Sequence, residues 1–478
     1  MKRKKFTLEK ILVTGYAAEG KSLARVDGKV IFIEGAVPGD VVDVFVSKNK
    51  KDFGEGRATR FHEMAADRTT PFCGHFGTCG GCKWQMLPYE KQLEYKQQEV
   101  AQNFKRIGKV ALPEMMNIKG SALTQAYRNK LEFTFSNKRY LTEAEIKAAT
   151  PAQDAQNDAP SVIPQTPALG FHVPRIFDKV IDIQTCYLMD DVNNQIRNSI
   201  RQYAIDNQLS FYDIKAHTGW LRNIIIRNCS TGELMVNVCL GYEDAEATQL
   251  LMEHILASVP SITTLLYTIN TKWNDSIYDL TPQVYFGKGY AIEKLGKYSF
   301  KVGPKSFFQT NTAQAEELYS ITADFAGLTG SETVYDLYCG TGSIGIFVSD
   351  KAKKVIGVEV IAEAIEDAKE NAALNNIQHT EFFAGDVIKI CDDAFFAKHG
   401  KPDVVITDPP RAGMHEKLVQ KLLEMEAPKI VYVSCNTATQ ARDLALLAAK
   451  YTVEKIQPVD MFPHTHHIEC VVLLKLIP

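Results

Sequence analysis

The last third of the chain alternates between short apolar runs typical of buried strands and longer segments with helical periodicity. The predicted strands and helices, in chain order, are 355–360, 361–375, 381–384, 403–408, 416–426, 430–435, 438–450 and 470–476. This alternation predicts a doubly wound α/β sheet, which binds ligands at the carboxyl ends of its strands. The polar side chains that fall at such ends are Asp336, Glu359, Asp386, Asp408 and Cys435. We therefore expect these five residues to lie close together.

The first 62 residues show a different pattern, in which short alternating runs are separated by glycine-rich joints. About five short strands of this kind predict an OB-like β-barrel, a fold that often binds oligonucleotides. Residues 1–60 hold 13 Lys or Arg against 8 Asp or Glu, whereas the whole chain has a net charge of −3. A basic module on a mildly acidic body suggests RNA or DNA, although a merely solvated basic face fits equally well. The side chains expected to contact phosphate are Lys48, Lys50, Lys51 and Arg57.

The middle of the chain, residues 63–300, reads as a mixed α+β domain. Residues 84–107 have the composition of a helix, and residues 127–135 alternate like a strand. Residues 141–167 are low in complexity and predict a flexible excursion between two strands. With 478 residues the chain is long enough for three domains, and the third is expected over 301–478.

A glycine-rich turn, Asp336–Gly345, follows an apolar strand and leads into a predicted helix. Its glycines let the backbone approach a ligand, and Glu359 ends the next strand, where an acid can bind ribose hydroxyls. Either a dinucleotide or S-adenosylmethionine fits this pattern. Asp336 favours the methyl donor because a carboxylate there can meet a cationic amino acid. Gln309, ahead of a helix predicted to begin near Thr312, is a further candidate to bind the cofactor.

Three cysteines lie close together at Cys73, Cys79 and Cys82, and glycines between them allow the chain to wrap tightly. Cys186 is the nearest candidate in sequence for a fourth ligand. A zinc site usually offers two close pairs of Cys or His, so this spacing favours a 4Fe–4S cluster over zinc. We expect reduced cysteines and a cytoplasmic protein without a membrane segment, because no run of about 18 apolar residues occurs and no apolar segment follows the basic start.

Cys435 ends a predicted strand within Ser-Cys-Asn, and Glu469 lies near the end of the chain. A thiolate that adds to carbon 6 of a pyrimidine makes carbon 5 nucleophilic enough to accept a methyl group. A carboxylate can then remove the proton from carbon 5. Three histidines precede Glu469, at positions 464, 466 and 467, and they are expected to shape the site rather than bind a metal.

These motifs together resemble the RNA (uracil-5-)-methyltransferases. The matching segments are Phe307–Gln309, Tyr338–Gly342, Asp408–Arg411, Ser434–Asn436 and Phe462–Glu469, and one departure is Thr437, where many members have proline. Gly20–Arg25 and Ala36–Asp40 resemble a TRAM module, and with the cysteines they resemble the branch that methylates 23S ribosomal RNA and carries a 4Fe–4S cluster.

The resemblance implies a role for each matched residue. It makes Cys435 the nucleophile and Glu469 the base. The residues implied to hold S-adenosylmethionine are Gln309, Tyr338, Ser343, Glu359, Asp386 and Asp408, and those implied to hold the cluster are Cys73, Cys79, Cys82 and Cys186. The expected partner is RNA, with 23S ribosomal RNA as substrate, and the protein is expected to be a monomer.

Three alternatives remain open from the sequence. A tRNA uracil-5 methyltransferase would share all the catalytic motifs. A cytosine-5 RNA methyltransferase would normally place its cysteine in a Pro-Cys or Thr-Cys motif, and it would have no paired glutamate near the chain end. A non-catalytic RNA-binding assembly factor would not require intact Cys435 and Glu469.

Overall fold

The computed structural model describes residues 5–149 and 166–478. The excursion predicted over 141–167 therefore falls largely outside the described residues. Three sheets and one hairpin make up the β-structure of the described residues. Within this part of the chain no helix combines the length and the apolar composition needed to cross a bilayer.

The N-terminal segment is a single six-stranded sheet. Its strands are β1 (Phe6–Leu12), β2 (Gly15–Ala17), β3 (Lys21–Val26), β4 (Lys29–Glu34), β5 (Val41–Asn49) and β6 (Phe53–Glu63), and a 3₁₀ turn occupies Ala18–Gly20. The spatial order is β1-β5-β6-β4-β3-β2, with β4 and β6 parallel. Leu8, on β1 at one end of the strand order, and Ala24, on β3 near the other end, belong to the same small apolar core. The sheet therefore curls around this core. The predicted small β-domain is thus confirmed.

The middle of the chain forms a seven-stranded sheet with helices on one face. The elements are α1 (Tyr89–Asn103), β7 (Lys130–Ser136), α2 (Glu143–Ala149), β8 (Ala168–Val173), β9 (Ile176–Asp182), α3 (Val192–Asp206), β10 (Leu221–Asn228), β11 (Leu234–Leu240), α4 (Ala245–Ser258), β12 (Thr264–Ile269) and β13 (Gln283–Phe286). The strand order is β13-β12-β11-β10-β7-β8-β9. Alternate residues of the central strands pack with α3 and α4 in one large core.

The C-terminal segment forms a second seven-stranded sheet. Its elements, after the hairpin β14 (Ala291–Leu295) and β15 (Tyr298–Val302), are α5 (Thr312–Ala326), β16 (Thr333–Leu337), α6 (Ser343–Val348), β17 (Lys354–Glu359), α7 (Ala362–Leu374), β18 (Thr380–Ala384), α8 (Val387–Ile390), α9 (Asp393–His399), β19 (Val404–Thr407), α10 (Glu416–Met425), β20 (Lys429–Ser434), α11 (Thr437–Leu447), β21 (Tyr451–Val459) and β22 (Glu469–Leu476).

The strand order of this sheet, β18-β17-β16-β19-β20-β22-β21, confirms the predicted doubly wound fold. The strands from β18 to β20 are parallel, while β22 runs antiparallel to β20 and β21 antiparallel to β22. Separate apolar cores lie on the two faces of the sheet. Because β22 is reversed, its first residue lies at the edge where the parallel strands end.

Helix α1 packs against the C-terminal sheet, although the sequence places it in the middle of the chain. Val100, and Phe104 in the π-helical turn that continues α1, are buried in the same core as Tyr432 and Leu444. Asn103 Nδ2 also donates to Thr437 Oγ1 at 2.8 Å. The domain boundaries drawn from the sequence remain predictions, but this helix is structurally part of the C-terminal core.

A buried ion pair fastens α1 to the segment ahead of β22. Lys96 Nζ lies 2.6 Å from Asp460 Oδ1, and both side chains are fully buried. The Tyr89 hydroxyl donates to Asp460 Oδ2 at 2.8 Å, and the Phe462 amide donates to Oδ1 at 3.0 Å. With its oxygens satisfied in this way, Asp460 holds the chain that enters the 462–469 loop.

We expect Lys96→Met to lower the free energy of unfolding by about 3–5 kcal/mol, because it leaves the Asp460 carboxylate buried without its cation. Urea denaturation measures this loss. The matched control is Lys119→Met, whose partner Glu317 lies 3.0 Å away in a pair that is about half exposed. Breaking that exposed pair should cost about 0–1 kcal/mol. Equal losses in the two variants would contradict a structural role for the buried pair.

Candidate active site

Cys435 and Glu469 face each other across two neighbouring strands. In the antiparallel pairing of β20 with β22, Ser434 is opposite Cys470. Cys435 directly follows Ser434, Glu469 directly precedes Cys470, and the Glu469 carboxyl is close enough to raise the pKa of Cys435. Cys435 is partly exposed, whereas Glu469 is 6% exposed. The sequence-predicted nucleophile and base, separated by 33 intervening residues in the chain, are therefore adjacent in the structure.

The charges around this pair favour protonated groups. Burial, together with the neighbouring carboxyls of Glu469 and Asp408, raises the pKa of Cys435 to about 11. Burial and Asp408 raise the pKa of Glu469 well above its usual value. Burial raises the pKa of Asp408 to about 7. The Arg411 cation opposes these shifts at both Cys435 and Glu469.

The loop that carries Asp408 and Arg411 is held against the Cys435 turn. Asn436 Nδ2 donates to the Arg411 carbonyl at 3.0 Å, while Asn436 Oδ1 accepts from the Ala438 amide at 3.1 Å. Asn436 is thus the N-cap of α11, and Thr437 is its first residue. A proline is favoured at that position of a helix, so the departure at Thr437 keeps the same backbone geometry.

The glycine-rich turn joins β16 to α6 and is tied to two acids. The Gly345 amide donates to Asp336 Oδ2 at 2.8 Å, and the Gly340 amide donates to Glu359 Oε2 at 3.3 Å. A Cβ on Gly345 would lie 2.9 Å from Asp336 Oδ2, so only glycine allows this approach. Burial, together with Asp408 and Glu359, raises the pKa of Asp336 to about 7. Asp336 Oδ1 is buried without a partner.

The other predicted cofactor residues border the same turn. The Ser343 and Tyr319 hydroxyls form a hydrogen bond of 3.0 Å, which joins α6 to α5. Tyr338 has a φ of 61° and lies within electrostatic reach of Asp386 and Glu359. Asp386 caps α8 by accepting from the Ile388 amide at 3.0 Å.

Gln309 precedes α5 and is positioned through the backbone. Its carbonyl accepts from Asn129 Nδ2 at 2.9 Å. Two residues later, Asn311 caps α5 and its Nδ2 donates to the Met461 carbonyl at 2.9 Å. The segment with Gln309 is thus fixed both to the central sheet and to the residues just before the 462–469 loop.

The three histidines of that loop are neutral at neutral pH. Burial lowers the pKa of His464 and of His466 to about 4, and burial, His466 and Arg411 lower that of His467 to about 3. Arg411 Nη2 lies 2.8 Å from His467 Nδ1, which must accept because the guanidinium can only donate. That the histidines shape the site stays a prediction, which this contact and their lowered pKa values support.

The cysteine-rich loop contacts the loop that carries the histidines. The amides of Lys83 and Trp84 both donate to the His464 carbonyl, at 2.7 and 3.1 Å. On the other side, the His464 amide donates to Gln92 Oε1 at 2.8 Å. His464 has a φ of 64°, so these contacts hold it in the left-handed region. The residues just after Cys82 thereby fix the path of the chain toward Glu469.

The four predicted ligand cysteines are neighbours in the structure. Burial raises the pKa of Cys79 to about 11 and of Cys82 to about 12, and Cys73 and Cys186 add to both shifts. All four thiols are free of disulfide bonds. Yet among residues 5–149 and 166–478 no group of three or more His, Cys, Asp or Glu side chains is arranged to hold a metal ion. A metal centre at these cysteines therefore stays a prediction from the sequence.

Sequence reasoning gave no catalytic role to Arg411 or to Tyr319. The signal for Arg411 was present, since it directly follows Asp408-Pro-Pro. Tyr319 lies on a helix whose buried face looks like ordinary core, and no local pattern marks it. Only the fold shows that it lies within electrostatic reach of Asp408, Asp336 and Glu469.

The raised pKa of Cys435 predicts that its alkylation by iodoacetamide accelerates with pH and does not level off by pH 9. The reason is that only the thiolate reacts, and the thiolate fraction increases about tenfold per pH unit below the pKa. Arg411→Gln should slow the reaction further, because it removes the cation that lowers this pKa. Peptide mass spectrometry at Cys435 measures both rates. A plateau below pH 8 in the unmodified chain would contradict the assignment.

Comparison with known proteins relates nearly the whole chain to RNA methyltransferases. A family model described as tRNA (uracil-5-)-methyltransferase matches residues 283–477, and a TRAM domain model matches residues 2–59. An uncharacterized RNA methyltransferase of Bacteroides thetaiotaomicron is 54% identical, over 96% of this chain and 100% of the relative. Another from Porphyromonas gingivalis is 50% identical, over 97% of this chain and 98% of the relative.

A solved structure agrees in fold with these matches. The tRNA (uracil-54, C5)-methyltransferase of Pyrococcus abyssi, in complex with S-adenosyl-L-homocysteine, superposes with a TM-score of 0.71 and 24% identity. The match covers 98% of this chain and 100% of that one. The chain belongs to the RNA (uracil-5-)-methyltransferase family and is an S-adenosylmethionine-dependent RNA methyltransferase with an N-terminal TRAM domain.

Proposed function

We propose that the protein methylates carbon 5 of a uridine in RNA through a covalent bond between Cys435 and carbon 6. The observation that supports this proposal is the pairing of Ser434 with Cys470, because Cys435 and Glu469 are the residues next to that pair in β20 and β22 and interact electrostatically. Uracil carbon 5 is unreactive toward a methyl donor until a nucleophile adds at carbon 6. A neighbouring thiol and carboxyl group supply the two groups that this chemistry needs.

The proposed reaction has the following order of steps. Cys435 releases its thiol proton to water as its sulfur adds to carbon 6, and the electron pair of the 5,6 double bond becomes available at carbon 5. S-adenosylmethionine, when bound, supplies the methyl group. Glu469 then accepts the proton of carbon 5, and loss of the Cys435 thiolate restores the double bond. Asp408 and Glu469 repel each other when both are ionised, so the two hold a proton between them and one remains able to accept another.

The residues proposed to hold S-adenosylmethionine surround the glycine-rich turn. Glu359 is the last residue of β17, the position of a ribose-binding acid, and Asp336 has a buried oxygen without a partner that would meet the cationic part of the cofactor. The remaining members of the proposed set are Gln309, Tyr338, Ser343, Asp386 and Asp408.

We expect Glu469→Gln to trap an RNA adduct that already carries the methyl group, because attack and transfer precede the loss of the proton. Denaturing gels and mass spectrometry of the adduct measure this. Cys435→Ala should give neither adduct nor product, while still binding S-adenosylmethionine. The double variant should behave like Cys435→Ala, since the residues act in turn on one intermediate. Turnover by Cys435→Ala would refute the covalent mechanism.

We further propose that 23S ribosomal RNA is the substrate, in the cytoplasm and with a monomeric enzyme. Support comes from the combination of a TRAM domain with the four cysteines, by which the sequence resembles that branch of the family. Mapping RNA from cells without the protein should show loss of 5-methyluridine from 23S ribosomal RNA. Loss of 5-methyluridine from tRNA instead would show that tRNA, and not 23S ribosomal RNA, is the substrate. Loss of 5-methylcytidine would favour a cytosine enzyme, and no loss would favour a binding factor.

A 4Fe–4S cluster is proposed at Cys73, Cys79, Cys82 and Cys186. Each iron of such a cluster takes one cysteine, so its ligands are more widely spaced than those of a single ion. Four neighbouring free thiols, with Arg197 and Arg128 close to Cys186 to offset thiolate charge, fit this group. The loop is also close-packed: a Cβ on Gly80 would lie 2.7 Å from Pro174 Cγ.

Protein purified without oxygen should therefore be brown and contain iron and acid-labile sulfide. Cys79→Ser should lose most of the iron, whereas Cys229→Ser, which alters a buried cysteine of another core cluster, should keep it. Iron and sulfide analysis measures the difference directly. Stoichiometric zinc without sulfide would contradict the proposal.

A further inference from the structure

Two large aromatic side chains are exposed on the loop between β12 and β13. Trp273 is 76% exposed and Tyr278 is 68% exposed. The chain has three tryptophans, and the other two, Trp84 and Trp220, are only 1% and 2% exposed. Exposed aromatic rings on a soluble protein often mark a binding surface.

The loop that carries Trp273 is held rigidly by a buried arginine. Arg222 is 1% exposed, and its Nη1 donates to the carbonyls of Asn270 and Lys272 at 2.6 and 2.5 Å. Its Nη2 donates to the Asn274 carbonyl at 3.0 Å and to Asp275 Oδ1 at 2.8 Å. The Arg222 guanidinium, which lies on β10, is surrounded by oxygen atoms of this loop and fixes the backbone on both sides of Trp273. The indole is therefore presented on an ordered backbone.

One face of the indole is covered and the other is open. The ring of His217 stacks on Trp273, with centroids 4.7 Å apart and planes 9° from parallel. His217 has a φ of 55°, and its amide donates to the Asp213 carbonyl at 2.8 Å. A ring that is 76% exposed despite this contact offers its opposite face to solvent. A third planar ring can therefore stack on the open face of the indole.

The surface adjoins the segment that leads to Gln309. Lys305 Nζ donates to the carbonyls of Tyr278 and Leu280 at 3.1 and 3.2 Å. Gln309, four residues further along, belongs to the site already described. RNA that enters the site from this side would thus pass Tyr278 and Trp273.

We propose that Trp273, backed by His217, and Tyr278 form a stacking surface for unpaired bases of the RNA that flank the target uridine. The proposal rests on the proposed function, since it assumes that RNA enters the site. Lys272 pairs with Asp279 and Arg222 with Asp275, while the Lys305 ammonium is bound by backbone carbonyls. Stacking, rather than attraction to phosphate, is therefore the source of affinity here. Base stacking on an aromatic side chain is tolerant of sequence.

Tryptophan fluorescence tests this proposal directly, because Trp273 is the exposed tryptophan. The probe is a mixed-sequence single-stranded RNA of about 12 nucleotides, a length within the range of known single-strand sites. Binding should quench the emission and shield it from acrylamide. Trp273→Ala should weaken binding roughly 5- to 150-fold, with an unchanged dependence of affinity on salt. Trp273→Phe should retain most of the affinity but lose the quenching.

The matched control is Phe286→Ala, which removes another exposed aromatic ring, at the opposite end of β12. It should leave the affinity unchanged, and a duplex of the same RNA should bind the parent and Trp273→Ala equally. Unaltered fluorescence at saturating RNA, or full affinity in Trp273→Ala, would overturn the proposal. So would a change in sedimentation of Trp273→Ala without RNA, which would indicate a contact between copies. The proposed function fails separately, if the parent chain transfers no methyl group to RNA.

Discussion

The pairing of β20 with β22 is the constraint on which the active site depends. The parallel strands of a doubly wound sheet bring their carboxyl ends to one edge, which accounts for Asp336, Glu359, Asp408 and Cys435. A sixth parallel strand in the place of β22 would have carried Glu469 to the opposite edge. Reversal of β22 brings its first residue back to the edge with the others. A shift of the register by one residue would turn Glu469 to the other face of the sheet.

The same residues show what the sequence could predict. Strands β16, β17, β19 and β20 are short, have apolar centres and are flanked by polar or turn residues, so their ends located the acids and Cys435 within a residue or two. Strand β21 was not predicted, because its burial is uneven: Tyr451 is buried, whereas Thr452 and Glu454 are exposed. The packing of α1 was equally hidden. The apolar residues Val100 and Phe104 indicate that one side of this helix is buried, but they do not indicate which core buries it.

Segments outside the C-terminal sheet also position the active-site residues, through contacts between distant parts of the chain. The 462–469 loop meets α1 through Gln92 and Lys96, and it meets the cysteine-rich loop through Lys83 and Trp84. A Cβ on Gly20 would lie 3.2 Å from His466 Cβ, so the N-terminal sheet touches this loop too. Three separate segments thus set the approach to Glu469. The local sequence around the histidines shows none of these partners.

The distance between Lys96 and Asp460 along the chain has a consequence for biosynthesis. The two residues are separated by 364 positions. At about 5–20 residues per second, a ribosome needs roughly 20–70 s to deliver the partner of Lys96 after Lys96 itself has been made. Until then the buried face of α1, with Gln92, Lys96 and Val100, lacks part of its native surroundings. The ion pair that fastens α1 to the segment ahead of β22 can therefore form only after nearly the whole chain has been made.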